Sequence, residues 1–263
     1  TQLQTISLSN VNTVISKVVV DNPMGVQVED QVNIVNVFCK QGVLSYVTGG
    51  IQGFVLEEDG EYDGDLVIGG GILDLNGHTY HVRGSLTINS GALNMTQAED
   101  HLIVDGDFVM NSSMSHNGRL TDGILEVKGN FTQTGNVSAF YATNNHTTIL
   151  NATKSQVVTF ANSGCRFANL QLSNASGIRL EDNVKATGLI RQTGKVEGYL
   201  VVESTSTLDH GEYSGNLQMS SVTMEEDWKI QGDVLIKDKL NLNSHTLEAT
   251  GTVVYNYNSY YNS

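Results

Sequence analysis

Gly64-Asp65-Leu66-Val67-Ile68, followed by Leu73-Asp74-Leu75-Asn76-Gly77-His78-Thr79-Tyr80-His81-Val82-Arg83-Gly84, decides the fold of this chain. A near copy stands close to the other end of the sequence, as Gly232-Asp233-Val234-Leu235-Ile236 followed by Leu240-Asn241-Leu242-Asn243-Ser244-His245-Thr246-Leu247-Glu248-Ala249-Thr250-Gly251. Both passages read as short strand, tight turn, short strand, tight turn within about 20 residues. Gly-polar-apolar starts recur at Gly64, Gly84, Gly106, Gly129, Gly215 and Gly232, and the first four follow one another at a nearly constant step. A period of that length is the mark of a solenoid, in which each coil buries its apolar face only against its neighbours.

Within a coil the apolar residues alternate: Leu66 and Ile68, Leu73 and Leu75, Leu86 and Ile88, Leu102 and Val104, Leu125 and Val127. Period two between Gly and Asn corners predicts strands, and no window shows helical spacing. The expected fold is all-β, a single-stranded parallel β-helix (β-solenoid) of roughly 20-residue coils. Residues 51–251 form the β-helix in this reading. Residues 1–50 are rich in β-branched residues but lack the Gly-Asp punctuation, and read as an N-terminal β cap or small β element. Residues 252–263 read as a terminal strand or linker. Stacking at roughly 4.8 Å per coil makes about nine or ten coils a rod ~45 Å long.

Composition fits an all-strand stack. The chain has 27 glycines and one proline, Pro23. Proline removes a ladder donor, so a chain of internal strands has few places for it, whereas glycine supplies positive-φ corners. A formal charge of -14 argues against nucleic acid and anionic membranes, which need a basic footprint. It suits cations and neutral polysaccharides. No apolar run reaches the ~18–20 residues of a membrane span. The start at Thr1, without a signal peptide, reads as a fragment or a mature product. Cys39 and Cys165 match no metal spacing; two buried thiols is the leading reading, with a disulfide between them as the alternative.

The phrases Leu73 to Thr79 (LDLNGHT), His101 to Met110 (HLIVDGDFVM), Gly123 to Gln133 (GILEVKGNFTQ) and Cys165 to Ser173 (CRFANLQLS) resemble a β-solenoid repeat region of large surface or adhesin-like proteins of Gram-positive bacteria. The resemblance spans roughly residues 55–250 and rests on repeat wording. It implies an exported, cell-surface, stalk-like or adhesive module, extracellular in location, and it transfers no active site.

Three kinds of chemistry are weighed on the residues. The densest carboxylate run, which includes Asp59, Glu61, Asp63 and Asp65, is the candidate metal set; Ca²⁺ is the hard cation that takes many oxygens at once. Its spacing fits neither an EF-hand nor a calcium β-roll, and the competing reading is a solvated acidic turn. Asp65, Asp105 and Asp107 are the candidate carboxylates of the alternative function, a β-helix polysaccharide lyase or glycoside hydrolase using paired Asp/Glu. Their recurrence with the corner also fits simple turn capping. Trp228, Tyr199 and Tyr213 are the candidate ligand-binding aromatics for polysaccharide or a cell-surface glycan. His78 and His245 occupy matching Asn-x-His-Thr corners and read as corner histidines, since zinc would need further ligands. Asn76, Asn89, Asn94, Asn111, Asn130 and Asn243 recur near corners, where stacked amides strengthen successive coils. No nucleophile elbow or phosphate loop is present. The leading expectation is a non-catalytic structural or adhesive solenoid without a resident cofactor, contacting polysaccharide along its sides.

Overall fold

The computed structural model describes residues 2–8, 14–22, 24–29, 33–34, 37–41, 44–46, 53–193, 195–208, 211–224 and 226–255. It is an all-β solenoid of parallel strands with about nine turns. Among the described residues no helix is long and apolar enough to cross a membrane.

Three ladders run along the rod. The first stacks Gly60–Tyr62, Thr79–Val82, His101–Val104, Ile124–Val127, Thr147–Leu150 and Phe167–Ser173. The second stacks Leu66–Ile68, Leu86–Asn89, Phe108–Ser112, Phe131–Gly135 and Gln156–Phe160. The third begins with Phe54–Val55, Ile72–Asp74 and Ala92–Asn94, and continues through single bridges Met95–Leu120 and Leu120–Ala142. Farther along, corners disappear and strands lengthen: Ile178–Thr193, Lys195–Leu208 and Gly211–Met224 each cross from one ladder into the next. Trp228–Gln231, Val234–Asn241, Leu247–Ala249 and Val253–Tyr255 complete the described stack.

In-register pairing turns the sequence alternation into a core. Leu66, Leu86 and Phe108 stack in one column, and Tyr80, Leu102 and Leu125 in another; all are at most 1% exposed. Between the middle coils Phe108, Phe131, Phe140, Phe160 and Phe167 pack ring to ring, with centroids 4.8–6.3 Å apart. Aromatic pairs in these geometries add to the gain from burial itself. At the corner between the first and second ladders, Gly84 donates its N–H to Gly64 and Gly106 donates to Gly84. A Cβ at Gly129 would lie 2.4 Å from the Gly106 carbonyl carbon, so only glycine lets these turns stack at strand spacing.

Parallel pairing also extends through residues 4–46. Gln4–Ile6, Val26–Val28 and Leu44–Tyr46 form one ladder, Val14–Ile15 pairs with Asn33–Ile34, and Val18–Asp21 pairs with Val37–Gln41. The partners, such as Gln4 with Val26 and Val14 with Asn33, are separated by a coil length like that of the later turns. Val20, Val26 and Val28 belong to the same continuous core. At the other end Val253–Tyr255 pairs with Val234–Ile236. The tail tyrosines at 257, 260 and 261 and the side chain of Cys39 lie outside the described residues. Cys165 is a free, buried thiol, pushed up in pKa by that burial and correspondingly inert.

Candidate functional site

The polar side chains that the first ladder turns outward form the richest cluster of charges. The inward residues of Thr79–Val82 and its neighbours are apolar except Thr148, and period two places Thr79, His81, His101, Glu126 and Thr147 on the outer surface. His81 Nε2 lies 2.8 Å from Asp105 Oδ2, and Lys128 Nζ donates to Asp105 Oδ1 at 2.8 Å. Glu126 is 3.6 Å from His101 Nε2 and 3.9 Å from Lys128 Nζ, and accepts from Asn151 Nδ2 at 2.9 Å. One coil earlier Arg83 donates to Glu61 at 2.7 Å. Partial burial pushes the Asp105 carboxyl up, but the hydrogen bonds and charges of Lys128 and His81 outweigh it and hold the group below its ordinary value. Asp105 is therefore an ionised clasp between coils. A glycosidic general acid needs the opposite environment, one that keeps the carboxyl protonated.

The corner aspartates are bound into the stack. Asp65 Oδ1 accepts from the Ser85 N–H at 2.7 Å, Asp107 Oδ1 from Asn130 at 2.7 Å, and Asp233 Oδ1 from Thr252 at 2.8 Å. Each carboxylate thus satisfies a backbone donor in the following coil, a charge-assisted bond across the repeat.

The acidic run is dispersed along these same duties. Asp59 accepts from the Thr79 N–H at 2.9 Å and faces His78 Nδ1 at 3.3 Å, Glu61 pairs with Arg83, and Asp65 holds Ser85; Asp63 lies near enough to Arg83 to feel its charge. Among the described residues no three His, Cys, Asp or Glu side chains gather where they could hold one metal ion.

The three candidate aromatics do not make a strip. Trp228 and Tyr213 are 0% exposed and pack in the core, where neither ring has a face to offer a sugar. Tyr199 is half-buried, and its hydroxyl donates to Gln218 Oε1 at 3.3 Å. Burial pushes the Tyr213 hydroxyl up, and it donates to the Gly198 and Asn216 carbonyls. Their late position suggested a shared face, yet strand parity turns Trp228 and Tyr213 inward. The amide prediction holds on one column: Asn111 Nδ2 donates to Asn89 Oδ1 at 3.1 Å, and Thr134 extends the row.

Neither the His81–Asp105–Lys128 clasp nor the two enclosed histidines, His116 and His146, is among the residues that the sequence singles out. The clasp was legible in principle, because one step of the repeat sets Asp105 beside Lys128. The buried histidines had no such signal, as they sit in irregular corners outside the strand alternation.

No known protein family, curated protein or solved structure matches this chain.

Proposed function

We propose that this solenoid is a non-catalytic structural and adhesive module of an exported bacterial surface protein, contacting polysaccharide along its sides. The observation that carries the reading is the use made of the carboxylates. Asp65, Asp107 and Asp233 bond the backbone of the next coil, and Asp105 is held ionised between His81 and Lys128. These groups stiffen a rod rather than stand ready to transfer protons. The mechanism is geometric: stacked coils keep their spacing, and the outer ladders present rows of polar side chains at a regular step of roughly 4.8 Å. The resemblance to Gram-positive surface repeats and the charge of -14 favour the same setting.

The test is a retention and depolymerisation screen against soluble and insoluble polysaccharides, with and without Ca²⁺. Retention without released reducing ends or unsaturated products is the expected result. Product release that is lost in Asp105→Asn would replace the reading with the β-helix enzyme. A Ca²⁺ requirement for retention would return Asp59, Glu61, Asp63 and Asp65 to the site.

A further inference from the structure

The solenoid changes girth abruptly beside Ser176. Along the second ladder, paired residues are 27 apart from Phe131 to Val158 and 22 apart from Val158 to Leu180. The step then falls to 18 from Ile178 to Val196 and 17 from Val196 to Tyr213. The surplus residues of the wide coils occupy the corner loops 151–155 and 174–177. The narrower coil that follows does not reach beneath them. A wide turn stacked on a narrow one leaves a ledge, and beneath it lies a recess of about 130 Å³ lined by Ser155, Ser176, Gly177, Ile178, Arg179 and Glu197. That is well above the roughly 10–15 Å³ that one water needs, and room for one edge of a sugar ring.

The ledge is held from behind by two amide side chains that are 0% exposed, Gln156 and Asn174. Gln156 Nε2 donates to the Val127 and Gly129 carbonyls, and Asn174 Nδ2 donates to the Lys154 carbonyl at 2.8 Å. Asn174 Oδ1 accepts from the Ser176 N–H at 2.8 Å, and Ser176 Oγ donates to Thr153 O at 2.8 Å. The Ser176 side of the recess is therefore fixed before any ligand arrives, which lowers the ordering cost of binding.

Its lining specifies a chemistry. Ile178, 2% exposed, closes the inner wall with its backbone against the core. Arg179 and Glu197 are register partners, a donor and an acceptor carried side by side on strands about 4.8 Å apart. One guanidinium nitrogen of Arg179 meets Glu181 at 2.9 Å, and a guanidinium carries five N–H groups in all. The Ser176 oxygen, its proton given to Thr153, is left to accept. Adjacent donor and acceptor match the vicinal hydroxyls of a sugar ring, each able to donate and accept. Arg179 stands against two carboxylates, Glu181 and Glu197, so the lining has no positive excess to attract an acidic sugar.

We propose that this recess binds a neutral pyranose unit through its vicinal hydroxyls, an assignment that rests on the polysaccharide-contact reading and gives it a place. The experiment is an amide NMR titration of the whole chain with the methyl glycosides of glucose, galactose and mannose, with glucuronate as the acidic control. Shifts confined to Ser155, Ser176, Gly177 and Glu197 with at least one neutral glycoside, and none with glucuronate, are expected. Arg179→Ala and Glu197→Gln, both on the rim, should each weaken binding about tenfold or more while leaving the remaining spectrum in place. Shifts elsewhere, no shifts, or equal shifts with glucuronate would overturn the assignment. Polysaccharide retention that survives Arg179→Ala without recess shifts overturns the recess alone. Absence of both retention and shifts overturns the broader reading with it. Recess shifts without polysaccharide retention keep the recess and remove the broader reading.

Discussion

Residues 64–84 and 232–251 speak nearly the same words and make the same local bonds, yet they stand on different sides of the rod. In the first, Asp59 accepts from Thr79 N–H and faces His78, Asn76 donates to Leu56 O, and Asp65 accepts from Ser85 N–H. In the second, Asp227 accepts from Thr246 N–H and faces His245, Asn243 donates to Met224 O, and Asp233 accepts from Thr252 N–H. Asn76 and Asn243 even share a left-handed backbone, with φ of 49° and 47°. But Leu66–Ile68, which follows Gly64, belongs to the second ladder, and the pairings Ile178↔Val196↔Tyr213↔Ile230 carry that ladder to Trp228–Gln231, which precedes Gly232. The Gly-Asp corner has moved round the cross-section by one face. Turn chemistry is thus a local property that travels with the phrase, while position in the cross-section depends on every coil between.

The largest test of this comparison uses matched leucines. Leu75 is 0% exposed between coils, whereas Leu242, its counterpart, is 42% exposed in the last described coil. Leu75→Asp buries an unpaired charge and should cost roughly 4 kcal/mol or more, enough to unfold or aggregate the rod. Leu242→Asp should stay within about 0.5 kcal/mol. Equal thermal shifts in the two variants would break the account of how context decides burial.

Acid should separate the middle coils from both ends. Burial pushes His116 and His146 down to about 4; Arg119 lowers His116 further, whereas Asp122 draws His146 partly back up. His116 Nε2 accepts from the Leu93 N–H at 3.0 Å, an acceptor role that protonation removes. Because the folded pKa is below the unfolded one, the unfolded chain takes the proton first. Stability is full above about pH 6.5 and falls as pH drops towards 4, by about 3 kcal/mol per histidine. Urea melts of His146→Leu across that window should show about half the acid loss of the parent. An unaltered slope in His146→Leu would refute the assignment.

The corner aspartates offer a finer test. Asp65→Ala and Asp233→Ala each strip a charged acceptor from one backbone N–H and should cost about 1.5–3 kcal/mol, by equal amounts if the corner is autonomous. A difference beyond about 1 kcal/mol in denaturant midpoints would show that the face matters after all. Smallest is the surface pair: Asp59→Asn and Asp227→Asn should each shift stability by about 1 kcal/mol or less, since both carboxylates are largely exposed.

What the sequence made legible follows the same division. The strand alternation at Leu66, Ile68, Leu86 and Ile88 and the glycine column were readable because each is a local pattern with a fixed physical cause. That Asp65 and Asp107 belong to the corner was readable for that reason too, but their partners were not, since each bonds an N–H of the following coil rather than of its own turn. Trp228 was not, because its burial depends on strand parity in a coil whose phase had rotated. The ledge beside Ser176 was equally hidden, since it arises from a difference between coil lengths rather than from any motif. Strands within residues 4–46 pair in parallel without the Gly-Asp corner, so punctuation marks one kind of turn and not the extent of the parallel stack.

The rotation itself is open to a direct chemical test. Thr159 pairs with Glu181, and Thr159 Oγ1 donates to Glu181 Oε2 at 3.1 Å, whereas a stack whose corners kept to one face would set Thr159 beside Lys185. In a background with Cys39 and Cys165 replaced, mild oxidation of Thr159→Cys/Glu181→Cys should close a disulfide, because strand neighbours fall within the Cα separation such a bond requires. Thr159→Cys/Lys185→Cys should stay reduced. The reverse pattern would contradict the rotated solenoid.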